Sequence, residues 1–225
     1  MEEVKNSRDF MRNFFERMYE KEAASFEGAL KLPLEEKDKA MWLDPDSKDE
    51  WKQWKLIEST VSEKDVLSMF SEIGCNPPEC LIAYFTVYHH YFDDPVGRHP
   101  VSKPFAGLKN AWNPALVKAG FLPFAWDEEH SLILFIDLEN MPDQYSCPVC
   151  QIDHEILFDI TDELYEEDDD DEYDDDTDCD DDELDDDCDK VMEQAEADCI
   201  RLAVIDNMEE LAPDFFTFLN NILEE

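Results

Sequence analysis

The sequence predicts a single α+β domain, in which a mixed, largely antiparallel sheet is flanked by helices. Three short apolar segments, Phe121–Trp126, Leu132–Leu138 and Val149–Phe158, are separated by acidic or turn-forming residues. This pattern is typical of consecutive antiparallel strands. Apolar residues elsewhere recur mainly at helical spacing, and hydrophobic residues make up 43% of the chain, enough for a core.

Two helical segments are predicted at the start of the chain. Aromatic and aliphatic residues recur at helical spacing from Ser7 to Phe26. From Asp49 to Glu58, Trp51 and Trp54 have the i, i+3 spacing of one helical face. We interpret these two tryptophans as core anchors, and a binding platform is the alternative.

Two further helices precede the predicted sheet. One starts at Ser62, which with Asp65 forms a helix cap, and it stops at Gly74. A short helix over residues 105–118 is predicted to be interrupted near Pro114.

Between these lies a helix predicted to begin at Pro77-Pro78-Glu79, because proline is favoured in the first turn, and to run to about Tyr91. His89 and His90 would then lie at its end. No nucleophile motif accompanies them, so we interpret them as packing residues and not as catalytic groups.

An acidic run divides the C-terminal part of the chain. Of the 28 residues from Asp162 to Asp189, 21 are Asp or Glu and none is Lys or Arg. Such a run cannot be buried, and is predicted to be extended and solvated. Helical patterns return over Lys190–Met208 and after Pro213, so the run is an insertion. We divide the chain into an N-terminal helical extension (1–47) and a domain (48–225) with an acidic insertion (162–189).

The charge of the chain restricts its partners. The net charge is −42, and 39 acidic residues still oppose 18 basic ones without the acidic run. This field repels nucleic acid and anionic membranes and attracts basic proteins. The N-terminus has no apolar signal region, no segment is long enough to span a membrane, and the seven cysteines lack disulfide-scaffold spacing. We therefore expect a cytoplasmic protein.

The order of elements resembles the SUKH superfamily, which includes fungal cell-wall-assembly regulators and many bacterial immunity proteins. The similarity covers roughly Trp51 to Leu223 without the acidic run. The segments that carry it are Trp51-Lys52-Gln53-Trp54-Lys55, Val61-Ser62, Ile73-Gly74-Cys75-Asn76-Pro77-Pro78-Glu79, Gly120-Phe121-Leu122-Pro123-Phe124-Ala125, Ile136-Asp137-Leu138, Val149–Asp153 and Phe215–Leu223. The chain departs from the family pattern in its N-terminal helix, its Cys147-Pro148-Val149-Cys150 segment and its long acidic insertion.

The resemblance implies a mixed sheet flanked by helices and a protein that binds and neutralises a secreted bacterial toxin, often a nuclease or a deaminase. It implies no catalysis and no cofactor. We expect a protein partner with a basic surface, and the oligomeric state is left open. The expected partner-binding residues lie in the acidic insertion: Tyr165, Asp168, Asp169, Asp170, Asp171, Tyr173, Asp174, Asp175, Asp176, Asp180, Asp181 and Asp182. The alternative is a regulatory or chaperone-like adaptor without a toxin, in which the insertion only solvates.

Two patterns suggest metal binding without establishing it. Cys147, Cys150 and His154 could supply three zinc ligands, but a second cysteine pair at suitable spacing is absent, and buried cysteines are the ordinary interpretation. The alternating Asp174, Asp176, Asp178 and Asp180 resemble a calcium loop. Cys179 occupies the position that requires glycine, however, and Asp185 the position of the bidentate Glu, so no specific site is predicted.

Overall fold

The computed structural model describes residues 2–72, 74–143, 146–166 and 186–224. Within these ranges the helices are α1 Glu2–Ser25, a 3₁₀ helix Glu36–Met41, α2 Glu63–Glu72, α3 Glu79–Val87, α4 Ala106–Ala111, α5 Pro114–Lys118, α6 His154–Glu166, α7 Asp186–Asn207 and α8 Phe215–Glu224. The strands are β1 Lys31–Leu32, β2 Lys52–Gln53, β3 Ile57–Glu58, β4 Tyr88–His89, β5 Phe121–Trp126, β6 Leu132–Asp137, β7 Val149–Asp153 and β8 Glu209–Ala212. The predicted α+β class is confirmed.

The main sheet has four antiparallel strands in the order β5-β6-β7-β8. The first three are the predicted meander, with Phe135 opposite Cys150 in the β6–β7 register. The fourth, β8, was not predicted. It lies on the other side of the acidic run in sequence and pairs with β7, placing Ala212 opposite Val149. The sheet therefore joins the chain before the insertion to the chain after it.

The third predicted strand is too long. Strand β7 ends at Asp153, and His154–Phe158 belong to α6. Asp153 Oδ1 accepts a hydrogen bond from the Glu155 backbone N–H at 2.8 Å, which is a helix-capping arrangement. Leu157 is buried whereas Phe158 is 64% exposed, because consecutive residues of a helix point in different directions. An apolar run alone does not distinguish these two structures.

Helices cover both faces of the sheet. Alternate residues of a strand point to opposite faces, so β6 contributes apolar side chains to two separate clusters. Leu134 and Ile136 belong to a large core cluster shared with α1, α3 and α8. Ile133 and Phe135 belong to a second cluster shared with α5, α6 and α7. The three layers are therefore helix, sheet and helix.

Helix α1 is an integral part of the larger cluster. Its Met11, Phe14 and Phe15 are at most 1% exposed. Phe15 lies beside Tyr84 of α3, with ring centroids 5.2 Å apart. The proposed boundary between residues 47 and 48 remains a prediction, but α1 shares its core with the rest of the domain.

The predicted helix over Asp49–Glu58 is wrong. This segment is extended, and β2 pairs with β1 while β3 pairs with β4. Trp54 is 2% exposed, as expected of a core anchor, but Trp51 is 55% exposed. Residues three apart in an extended chain point to opposite sides, so only one tryptophan enters the core.

The helix predicted to run to Tyr91 ends earlier, at Val87. Tyr88 adopts extended dihedral angles and begins β4, which pairs with Ile57–Glu58. His89 and His90 are therefore not at a helix end. The predicted cap of α2 is confirmed, since the Ser62 N–H donates to Asp65 Oδ2 at 2.8 Å and the Asp65 N–H donates to Ser62 Oγ at 3.3 Å.

No helix in the described part of the chain is long and apolar enough to cross a membrane.

Candidate functional site

An open groove of about 1320 Å³ lies on the α1 and α8 side of the sheet. Its walls come from the C-terminal part of α1, the Phe92–Arg98 loop, α4, the β5–β6 turn and α8. The groove exceeds the roughly 300–1,000 Å³ of pockets that bind small molecules, so its size suits a polypeptide segment better.

The floor of the groove is apolar. Met18, Phe92, Val96, Leu134 and Phe218 line it, and each of these side chains is at most 7% exposed. At the rim, Phe26 follows the end of α1 and is 68% exposed. An apolar side chain of a partner could pack against this exposed phenylalanine and remove its ring from water.

The walls carry more negative than positive charge. Six carboxylates and three basic side chains line the groove, and the three basic side chains are Lys21, Arg98 and His130. The carboxylates are Glu22, Asp93, Asp94, Asp127, Glu128 and Glu129.

The basic side chains of the groove already have partners. Arg98 Nε lies 2.9 Å from Asp93 Oδ1, and Lys21 Nζ donates to the carbonyl of Ile222 at the end of α8 at 3.0 Å. His130 Nε2 lies 3.3 Å from Asp94 Oδ2. The partner of Lys21 is a neutral carbonyl, so the Lys21 charge still acts on the neighbouring Glu22.

Glu22 is the half-buried carboxylate of the groove that is opposed only by the neighbouring charge of Lys21. Its side chain is half-buried, and no hydrogen bond or ion pair to it is found among the described residues. Burial, followed by the nearby charge of Asp93, raises the pKa of the Glu22 carboxyl, and the charge of Lys21 opposes this rise only in part. Burial also raises the pKa of Asp94, although His130 opposes this. A cation bound between these groups would restore the interactions that the carboxylates lose on leaving water.

The β5–β6 turn holds one rim of the groove in place. The Asp127 carboxylate accepts hydrogen bonds from the backbone N–H groups of Ser131 at 2.7 Å and Leu132 at 2.8 Å. Burial tends to raise the pKa of Asp127, but these hydrogen bonds outweigh it and lower the pKa. His130 has a positive φ of 58° and its ring stacks on Trp126. The acidic rim is thus built on an ordered turn.

The three zinc candidates are not brought together. Cys147 belongs to the larger core cluster, with its Sγ 3.5 Å from Cys80 Sγ, whereas Cys150 belongs to the second cluster. His154 is exposed, and its Nδ1 lies 3.0 Å from the carbonyl of Ser131. Cys147 and Cys150 thus pack on opposite faces of the sheet. Across the described ranges, no group of three His, Cys, Asp or Glu side chains could hold a metal ion.

His89 and His90, the two histidines that the sequence analysis weighed for catalysis, lie in the core together with His99. His89, His90 and His99 are at most 1% exposed, and the His89 and His99 rings stack with centroids 4.8 Å apart. The Thr60 backbone N–H donates to His89 Nε2 at 3.0 Å. Burial lowers the pKa of all three, that of His99 to about 3.

The expected contacts in the acidic insertion cannot be placed. Asp168–Asp171, Tyr173, Asp174–Asp176 and Asp180–Asp182 lie outside the described residues, as do Asp178, Cys179 and Asp185 of the calcium-loop pattern. Tyr165 belongs to α6, but its side chain is not among those that the structure describes.

Sequence reasoning missed the groove itself. Its lining residues come from separate parts of the chain, and each one alone has the pattern of an ordinary surface or core residue. The usable signal was a cluster of acids around a proline turn, Asp93-Asp94-Pro95, and a second acidic turn, Asp127-Glu128-Glu129. Only the tertiary structure brings both turns to the same groove as α1.

The fold and the groove define a three-layer α+β domain with an open acidic groove over an apolar floor. Comparison of the chain with models of protein families, with characterised proteins and with solved structures found no match.

Proposed function

We propose that this chain is a non-catalytic protein-binding domain of the SUKH type, which neutralises a basic toxin by covering its working surface. The observation that supports the proposal is the groove, where six carboxylates outnumber three basic side chains around an apolar floor. Interfaces with this composition combine an apolar centre with a charged rim.

The charge of the chain supports the same function. A net charge of −42 accelerates encounter with a basic protein and disfavours nucleic acid as a direct ligand. A toxin that acts on nucleic acid has a basic substrate surface, and a protein with dense carboxylates can occupy that surface in place of phosphate. In this proposal the acidic insertion steers the toxin towards the domain, and the groove holds it.

Co-expression tests the proposal. The chain is produced together with the product of the adjacent upstream gene in cells that this product kills, and survival and co-purification are measured. An unrelated protein of similar net charge serves as the control, because a polyanion alone could reduce toxicity. Survival and a stable complex with this chain only are expected. Absence of both would refute the toxin-neutralising function and would favour an adaptor role.

A further inference from the structure

We infer that the groove seats a basic segment of the partner protein, with a lysine or arginine side chain against Glu22 and its apolar neighbours over Phe92 and Phe218. The inference rests on the proposed function only in taking the occupant to be a protein. It assigns a location and a chemical class to the contact.

Charge complementarity selects this occupant. Glu22 is half-buried beside Asp93 and forms no hydrogen bond or ion pair with a described side chain, and the nearby charge of Lys21 offsets its own charge only in part. Arg98 and His130 are engaged by Asp93 and Asp94, and Glu128 and Glu129 are exposed. Glu22 is therefore the half-buried carboxylate of the groove whose charge no ion pair offsets among the described residues. A cationic side chain inserted here would form a charge-assisted hydrogen bond in partly desolvated surroundings, where such bonds are strong.

The apolar floor makes a free ion a poor occupant and a polypeptide a good one. Five buried apolar side chains form the floor, and Phe26 stands exposed beside it. A metal ion would leave the exposed Phe26 uncovered, and no metal-binding group of three side chains exists in the described part of the chain. In a segment with alternating apolar and basic residues, the apolar side chains can pack on the floor while the basic side chains bind the carboxylates of the wall.

Other occupants from this chain are disfavoured by charge. A second copy brings another net charge of −42, and the insertion of 162–189 carries 21 acidic residues without a basic one. Both would place like charges against Glu22, Asp93 and Asp94 in a partly buried site, which raises the free energy of binding.

The test uses the full chain and a blocked pentapeptide of alternating leucine and arginine. Nuclear magnetic resonance follows the methyl signals of Val96 and Leu134, which line the groove in every variant, and, where residue 22 is glutamate, its side-chain carboxyl signal. A second peptide with citrulline in place of arginine has the same shape without the charge. The Glu22→Gln variant removes the carboxylate, and Glu20→Gln, on the exposed side of the same helix, makes the same change in net charge.

The arginine peptide is expected to shift the Glu22 signal, with the citrulline peptide binding at least about tenfold more weakly. Glu22→Gln should weaken binding at the groove about tenfold, and Glu20→Gln by less than about twofold. Since the Glu22 side chain forms no hydrogen bond or ion pair with a described residue and its charge is partly desolvated, its replacement should leave the fold intact and should not lower the unfolding temperature.

Three results would overturn the inference: equal effects of the two glutamine variants, equal binding of the two peptides, or shifts confined to the acidic insertion. Its failure and the failure of the proposed function are distinguishable. Survival in co-expression with no peptide in the groove refutes only the groove as the contact, and peptide binding without survival refutes only the toxin as the partner.

Discussion

Arg201 of α7 binds the buried carboxylate of Asp137 at the end of β6, with Nη2 2.9 Å from Oδ1 and 3.1 Å from Oδ2. Arg201 also donates from Nη1 to the carbonyl of Ala119 at 3.2 Å, and its Nε lies 2.9 Å from Glu139 Oε2. The arginine thereby fixes the helix that follows the acidic insertion to the sheet that precedes it.

Arg201→Ala should lower the free energy of unfolding by about 3 kcal/mol, because it leaves the Asp137 carboxylate buried without its cation. Chemical denaturation measures the change. Lys37→Ala, which removes an exposed ion pair with Glu35, is the control and should cost less than about 0.5 kcal/mol. Equal costs for the two variants would show that the buried pair does not anchor α7.

Gly120→Ala should destabilise the protein through two separate effects. Gly120 has a φ of +81°, and a Cβ atom there would lie 2.8 Å from Glu139 Oε1, the carboxylate that binds Arg201. Gly74→Ala is the matched control, since Gly74 has a φ of +79° and open space around the added atom. We expect a cost of about 1 kcal/mol at Gly74 from the backbone alone, and about 1.5 to 2 kcal/mol at Gly120, where the exposed Glu139 side chain must move and weaken its contact with Arg201. Equal costs in thermal unfolding would contradict the clash with Glu139.

The three buried histidines, His89, His90 and His99, should make the fold less stable at acidic pH. Burial lowers the pKa of His89, His90 and His99 in the folded state, so the unfolded chain binds protons first as the pH falls below the usual value of about 6.5. Their contribution is therefore fully present above about pH 6.5 and is lost towards pH 3. Each histidine adds up to about 1.4 kcal/mol per pH unit to the slope.

His90→Phe tests this account at one site. Neither ring nitrogen of His90 has a hydrogen-bond partner among the described residues, and the ring packs against Phe15, Tyr84 and Phe92. His99 and His89 are the charged or titratable neighbours that most disfavour its protonation. The variant should be more stable than the original chain at pH 5 and less sensitive to pH between 5 and 6.5, measured by denaturation at each pH. An unchanged pH slope would contradict the prediction.

Local signals in the sequence were sufficient for several elements. The Ser62 and Asp65 cap, the three meander strands and α8 each follow from residues that are adjacent in sequence. The short strands β2, β3 and β4 and the edge strand β8 do not, because strands of two to four residues form only where a distant partner strand supplies hydrogen bonds.

The candidate site was less predictable than the fold. Sequence reasoning located acidity in the insertion, where the charge density is greatest. The inferred contact in the groove depends on one carboxylate, Glu22, whose partial burial follows from how α1 packs beside the Asp93 loop. Burial and pairing are properties of the tertiary structure, and local composition does not report them.

The acidic insertion should act mainly on the rate of encounter. Replacing Asp168, Asp169, Asp170 and Asp171 with Asn should slow association with the toxin about two- to fivefold at low salt and leave dissociation unchanged, because long-range charge affects encounter more than residence. Surface plasmon resonance at two salt concentrations measures both rates. Faster dissociation would contradict the steering role and would place these residues in the contact.

The most direct test of the groove as the partner-binding site compares two charge reversals on α1. The affinity of the co-purified partner is measured by calorimetry for Glu22→Lys and for Glu20→Lys, which change the net charge equally. Glu22→Lys is expected to weaken binding about 50-fold or more, because it places a like charge against the basic segment in the groove, and Glu20→Lys by less than about threefold. Equal affinities of the two variants would contradict the account.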